Sequence, residues 1–401
     1  MIITGIKKAS TNLQDDHKDL SMVLISISAV LFLFINPIYV LIVLGLMNIN
    51  IQIETTRLHK GLFRRLFCTL ALWAFVINRQ YGVSWGTEVV GLDDIPNYLD
   101  IFEKLVTRQI ALPLFEPIMY LGTFIFDAIG VQFFIYLLLI SLFCIFSIVH
   151  LLFSVQTRPY TGLAFLVCAV LTIWDIWGHL SRTSLALGFF CFLLIDIITK
   201  NPPRKVLGLL SMLTHLSFLL VTPFYYLNDI IIDRRRWIVP FVIFFPGTIL
   251  LIVTNYAPLT DSLIVYTKLL SYQFLISNIN MVYYALAIYF LIFDKRPVVL
   301  ISSALYLSTL FTITLGYGVI TERITSLTYT ILAIVLASTA KSIINISALY
   351  IGSLIIFIKN LTVLSDENSI SLLFQYLSQG EQYKPLKGFL LNILEMRWTM
   401  N

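Results

Sequence analysis

The chain reads as all-α: a polytopic integral membrane protein of about 10–12 transmembrane or re-entrant helices. Three observations carry that reading. Hydrophobic residues make up 58% of the 401 positions and charged residues only 12%, where a soluble domain carries roughly 25% charge. Apolar segments of bilayer length recur along the chain, and mean hydropathy is +0.89. The 43 residues from Val298 to Ala340 hold only two charges, the adjacent Glu322 and Arg323.

The first 19 residues are polar and no cleavage pattern follows a short apolar core, so the segment from about Leu20 reads as a retained signal anchor with nothing removed. Residues 20 to 53 are too long for one straight helix. Asn36-Pro37 in their middle breaks the run into a hairpin. Further apolar segments follow near 66–78, 131–154, 161–177, 183–199, 206–228, 237–255, 280–293, 298–316, 324–340 and 343–364. There is no internal repeat and no low-complexity stretch. The expected organisation is a single transmembrane domain over residues 1–401, with an outer loop at about 79–116 and a C-terminal tail at about 365–401.

The net charge of +5 sits in short loops, where it sets orientation and does not point to nucleic acid. Basic clusters at Arg57/Lys60/Arg64/Arg65, Lys200/Arg204/Lys205, Arg234/Arg235/Arg236, Lys295/Arg296 and Lys341 mark the cytoplasmic side. Alternation then puts the acidic 79–116 loop, Arg182, Lys268 and Glu322/Arg323 outside. Residues 206 to 228 resist this threading, because one crossing would put the basic clusters at its two ends on opposite sides. A broken or re-entrant segment turning at His215 removes the conflict. Non-helical backbone at membrane depth survives only where it lines protein or water, so His215 marks the place for a cavity.

Ionisable groups in apolar segments are costly and are commonly retained for function. Arg182 sits at the outer end of the 183–199 helix, where a guanidinium can clamp a phosphate by two parallel hydrogen bonds or simply reach to the interface. Glu322/Arg323 reads either as the turn of a helical hairpin or as the floor of a polar site; its flanks are barely polar, which favours the site. Asp93, Asp94 and Tyr98 lie in Gly91-Leu-Asp-Asp-Ile-Pro-Asn-Tyr, a solvated loop in which Pro96 also fits the first turn of a helix. His215 has no second ligand nearby in sequence, which argues against metal. Cys68, Cys144, Cys168 and Cys191 all lie in apolar stretches without CxxC spacing, so they read as packing residues. No phosphate-binding glycine loop, HExxH or GxSxG is present. No cofactor and no metal are expected.

Taken in order, Asp94 four residues before Tyr98, the Glu116-Pro-Ile-Met-Tyr helix start, Arg182 with its Leu-Ala-Leu-Gly helix, Leu213-Thr-His-Leu-Ser and Glu322-Arg323 resemble the EpsG-like family of Wzy-type polysaccharide polymerases. The tail's Tyr383-Lys-Pro-Leu-Lys resembles a late Tyr-x-Pro-Tyr-Lys element, with Leu386 in place of the second Tyr. Arg79 stands farther from the Asp/Tyr element than the family's arginine does. Either Asp93 or Asp94 fits the family spacing.

The resemblance implies an enzyme of the bacterial inner membrane, working toward the periplasm. It would transfer a growing glycan from its undecaprenyl diphosphate onto the next lipid-linked oligosaccharide repeat unit, in O-antigen, capsule or exopolysaccharide synthesis, with a chain-length regulator protein as partner. Arg182, Arg323, Arg79, Asp93 and Tyr98 would then bind the diphosphate and glycan, with the arginines on the diphosphate, and Glu322, Asp94 or His215 would serve as general base. Competing classes are a lipid-linked oligosaccharide flippase, which predicts inverted repeats and charge spread through membrane depth, an O-antigen ligase, and a membrane glycan acyltransferase.

Overall fold

The computed structural model describes residues 95–112, 117–131, 133–155, 181–227, 239–245, 278–314 and 318–340, with 65–66, 68–70, 72–73, 162, 166, 344–345, 347–348 and 351. Among the described residues the secondary structure is helical and there is no strand. The chain divides into two compact units, residues 1–85 with 372–401, and residues 86–371. The described residues between 65 and 73, in the first unit, are helical. All elements below belong to the second.

Eight helices are described there: α1 Ile95–Val106, α2 Pro117–Ala128, α3 Phe133–Val155, α4 Ser181–Ile198, α5 Lys205–Thr214, α6 Asn278–Phe293, α7 Pro297–Thr314 and α8 Gly318–Thr339. Between Thr214 and Leu227 lie a 3-10 turn, Leu216–Leu219, and a single helical turn, Thr222–Tyr225. Among the described residues one helical run, Ile135–Val155, is both long and apolar enough to cross a bilayer.

Local sequence explains the helix limits. Pro117 and Pro297 open α2 and α7, where the missing N–H costs nothing. α1 buries Tyr98, Phe102 and Leu105, spaced i, i+4 and i+7, and leaves Asp100 and Lys104 outward, bonded to each other at 2.6 Å. α2 ends on Gly130 at φ +66, with Val131 N–H donating to Phe126 O and Gly130 N–H to Asp127 O. That is a Schellman stop, for which glycine is the unstrained residue.

Several of the buried Ser and Thr residues are satisfied within their own helix. Ser147, Thr214, Ser302, Thr328, Ser338 and Thr339 each donate to the carbonyl four residues back, at 2.6–2.7 Å. A hydroxyl satisfied within its own helix can be placed in an apolar interior at little cost.

Side-chain contacts set the helix directions. Phe143 meets Phe189 at 5.2 Å and, further along both helices, His150 meets Phe192 at 5.6 Å, so α3 and α4 run parallel. α5 folds back antiparallel to α4: at the turn Arg204 bonds Asp196, and Ser211 Oγ donates to Ala186 O at 3.0 Å. α6 and α7 form a hairpin in which Tyr284 Oη lies 2.8 Å from Thr309 Oγ1, and α7 and α8 another, with Tyr306 and Tyr329 rings at 6.2 Å. The return limb after α5 joins the two halves. Tyr225 packs on Phe190 of α4 at 4.9 Å, and its Oη lies 2.7 Å from Ser302 Oγ of α7. Ala337 of α8 lies against Gly162 and so beside Leu152 of α3: a methyl on Gly162 would meet Ala337 O at 2.7 Å and Leu152 Cδ2 at 3.0 Å. α3, α4 and α8 therefore start at one end, here termed the head, and finish at the other, the foot.

The foot is held by two arginine–carboxylate forks, neither of which was foreseen. Asp196 is buried and accepts from Arg204 Nε at 2.8 Å, Nη2 at 3.1 Å and backbone N–H at 3.2 Å. Asp294 is buried at the α6–α7 turn and accepts from Arg296 Nε and backbone N–H, both at 2.9 Å, and from Nη2. Burial works against the charged Asp294 carboxylate, but the Arg296 bonds outweigh it and hold its pKa below the ordinary value. A depressed carboxylate stabilises the fold above its unfolded pKa and loses that contribution as pH falls through the folded value. The α6–α7 turn is thus held at neutral pH and released only in acid. Asp294→Asn is expected to cost about 1.5–3 kcal/mol, from lost charge-assisted bonds, read as a lower Tm of the purified chain at pH 7. An unchanged Tm would mean the fork does not hold the hairpin.

The segment expected to break at His215 does so. α5 stops at Thr214, and His215 is extended at φ −150 and ψ 125. The chain then returns: Tyr226 Oη donates to Lys205 O at 3.2 Å, beside the start of α5. Both ends of the segment accordingly lie at one level. α5 rises only about 15 Å, less than the roughly 30 Å of a hydrocarbon core. Gly208 permits the close return, since a Cβ there would overlap Tyr226 Oη and meet Thr222 Cγ2 at 3.0 Å. Gly208→Val should open the hairpin at a cost of about 1–3 kcal/mol, seen as faster proteolysis between 205 and 226; wild-type protease resistance would contradict the close packing.

Candidate functional site

Two residues singled out from the sequence, Arg182 and Tyr98, meet at the head. Arg182 lies in the first turn of α4. Its Nε donates to Tyr98 Oη at 3.1 Å, and its guanidinium lies 5.5 Å from the Tyr98 ring centroid. Tyr98 is 3% exposed and stacks on Phe102 at 6.2 Å. Phe102 in turn contacts Tyr120 of α2 and Phe133 and Tyr136 of α3, at 5.9–6.3 Å. Tyr136 Oη donates to Met119 O at 2.8 Å, which fixes α2 to α3. An aromatic layer from three helices thus presents the Tyr98 hydroxyl to Arg182.

Tyr98 is buried and bonded to the arginine, so it orients the guanidinium. A tyrosine that both accepts from Nε and offers its ring restricts a side chain otherwise rich in rotamers.

His215 comes to the same level by register. Ser211 bonds Ala186; one turn beyond Ser211 is His215, and one turn before Ala186 is Arg182. His215 is partly exposed, at the extended break between α5 and the 3-10 turn.

Glu322 and Arg323 fall in the second turn of α8, which begins at Gly318. They are not the hairpin turn that the sequence allowed; the backbone is already helical at both, and their side chains lie outside the described residues. Their height follows from the shared contacts of Tyr225. Tyr225 touches Phe190 and Ser302, and by the Tyr306–Tyr329 pairing Ser302 faces about Ala333. Arg182 is then about 12 Å headward of that level and Arg323 about 15 Å. Within one helical turn, Arg182, His215 and the Glu322-Arg323 pair share one layer.

Thr325, one turn below Glu322, is 2% exposed and its hydroxyl has no hydrogen-bond partner among the described residues. A buried hydroxyl left unmade costs about 1–3 kcal/mol. Asp93, Asp94 and Arg79 lie outside the described residues. Cys144 and Cys191 are buried thiols without disulfide, as their apolar surroundings suggested; Cys168 lies outside the described set. Among the described residues no cluster of metal-ligand type occurs.

The layer therefore offers an oriented guanidinium at a helix N-terminus and an imidazole at a helix break, at the height of the second turn of α8. Positive helix ends and arginine together suit an anion. Compared with protein families, curated proteins and solved structures, the chain matches none.

Proposed function

We propose that this chain is a multi-pass membrane glycosyltransferase that polymerises oligosaccharide repeat units carried on undecaprenyl diphosphate, with its reaction layer at the outer face of a bacterial inner membrane. The observation that carries the reading is the Tyr98–Arg182 contact at the height of His215 and of the Glu322-Arg323 turn. Membrane insertion is supported by the 58% hydrophobic composition and the two-charge run from Val298 to Ala340. It is supported also by the hairpin that brings Tyr226 back beside Lys205, at the start of α5.

In this reading an acceptor sugar hydroxyl attacks the anomeric carbon of the growing chain. A new C–O bond forms, the bond from that carbon to the diphosphate oxygen breaks, and the electron pair leaves on the diphosphate. Arg182 and Arg323 receive that developing charge. The hydroxyl proton passes to a base, with Glu322, Asp94 and His215 as the candidates. The metal-independent form is the one proposed, with arginine supplying the positive charge.

Deleting the gene in its host and displaying surface polysaccharide on a gel tests the function. Loss of a polymerase leaves core bearing one repeat unit. A complete absence of repeats would favour a ligase or a flippase, the latter with lipid-linked units accumulating inside.

A further inference from the structure

We infer that the paired outer faces of α2 and α5 are the seat of the polyprenyl tail of the lipid diphosphate whose head group lies at Arg182; this rests on the polymerase reading. α2 packs on both α1 and α5, and α5 packs on α4, so the two helices wall the side of the bundle next to Tyr98 and Arg182. Both are short. α2 rises about 18 Å and α5 about 15 Å, against about 35 Å for α3, so neither spans a hydrocarbon core of about 30 Å; the wall they make is termed the notch. Its outward side chains are apolar and exposed: Leu121, Phe124 and Ile125 on α2, and Val206, Leu209 and Leu213 on α5. The α5 row, spaced i, i+3 and i+7, runs up to His215 and the level of Arg182.

A lipid whose anionic head is held at that level has its chain beside it in the hydrocarbon, and the notch leads away from the guanidinium. A second exposed apolar row, Ile288, Ile292 and Phe293 of α6, runs instead toward the foot, ending at Asp294. It runs away from the level of Arg182 and serves as the internal control. Because lipid tails are as apolar as leucine, the notch contributes placement and the arginine contributes affinity.

The test uses the full chain in nanodiscs with a polyprenyl diphosphate carrying a diazirine on its tail, photolysed with and without excess unlabelled polyprenyl diphosphate. Labelling of peptides covering 121–125 and 206–213 is expected, falling at least fivefold with competitor. It should be insensitive to competitor in Arg182→Gln and with a diazirine polyprenol lacking the diphosphate. Competitor-sensitive labelling confined to α6 or elsewhere overturns the notch while leaving the polymerase reading in place. No competitor-sensitive labelling anywhere, from wild-type protein that retains its Tm, overturns both.

Discussion

Arg182→Ala is expected to reduce glycan polymerisation by at least about 10²-fold, the scale set by removing one oriented charge donor from a transition state. On a gel this is a ladder replaced by core plus a single repeat unit, at wild-type protein level. The physical reason is the head-end geometry: the guanidinium at the N-terminus of α4 is bonded through Nε to Tyr98 and set over its ring. Arg182→Lys should restore little, because a lysine ammonium cannot reproduce the planar fork. Tyr98→Phe keeps the ring and loses the bond to Nε. A hydrogen bond from a charged donor is worth about 1.5–3 kcal/mol, so a loss of about 10- to 10²-fold and shorter chains are expected, not their absence. A full ladder from Arg182→Ala would remove this residue from the site.

Glu322→Gln is expected to give the second large effect, about 10²- to 10⁴-fold, the range for loss of a general base. Glutamine keeps size and hydrogen bonding and removes only the capacity to take a proton. The helix around it should persist, since α8 already includes residues 318–321 before it. A wild-type ladder from Glu322→Gln, together with a single-unit product from His215→Asn, would transfer the base to the α5 break, which shares the level of Arg182.

Much of the helical plan was legible from periodicity and hydropathy alone. The segments expected at 131–154, 183–199, 280–293 and 298–316 became α3, α4, α6 and α7 within about two residues at each end. The start of α8 was missed by six positions, because the charged pair looked like the polar turn that ends an apolar run. In the structure the helix opens at Gly318, ahead of the pair. The break at His215 was legible for a topological reason, the two basic clusters that one crossing could not reconcile. The fine geometry of the return was not, since it depends on Gly208 admitting Tyr226.

The site itself was only partly legible. Arg182 and Tyr98 stood out by type and position, but they are 84 residues apart and nothing local announces their contact. The same holds for Ser211 and Ala186, whose bond sets the height of His215. Asp196 and Asp294 were overlooked because an acid beside a basic loop looks solvated. Each is in fact buried and forked by an arginine. Long-range pairing and burial are tertiary properties, and single-chain patterning does not encode them in any local spacing.

The most direct measurement is turnover by the purified full chain, reconstituted in vesicles and supplied with a single lipid-linked repeat unit, with no nucleotide and no ion gradient. A ladder of extended glycans, with one undecaprenyl diphosphate released per bond formed, is the expected result. Unextended substrate, or substrate moved intact between leaflets, would contradict a polymerase.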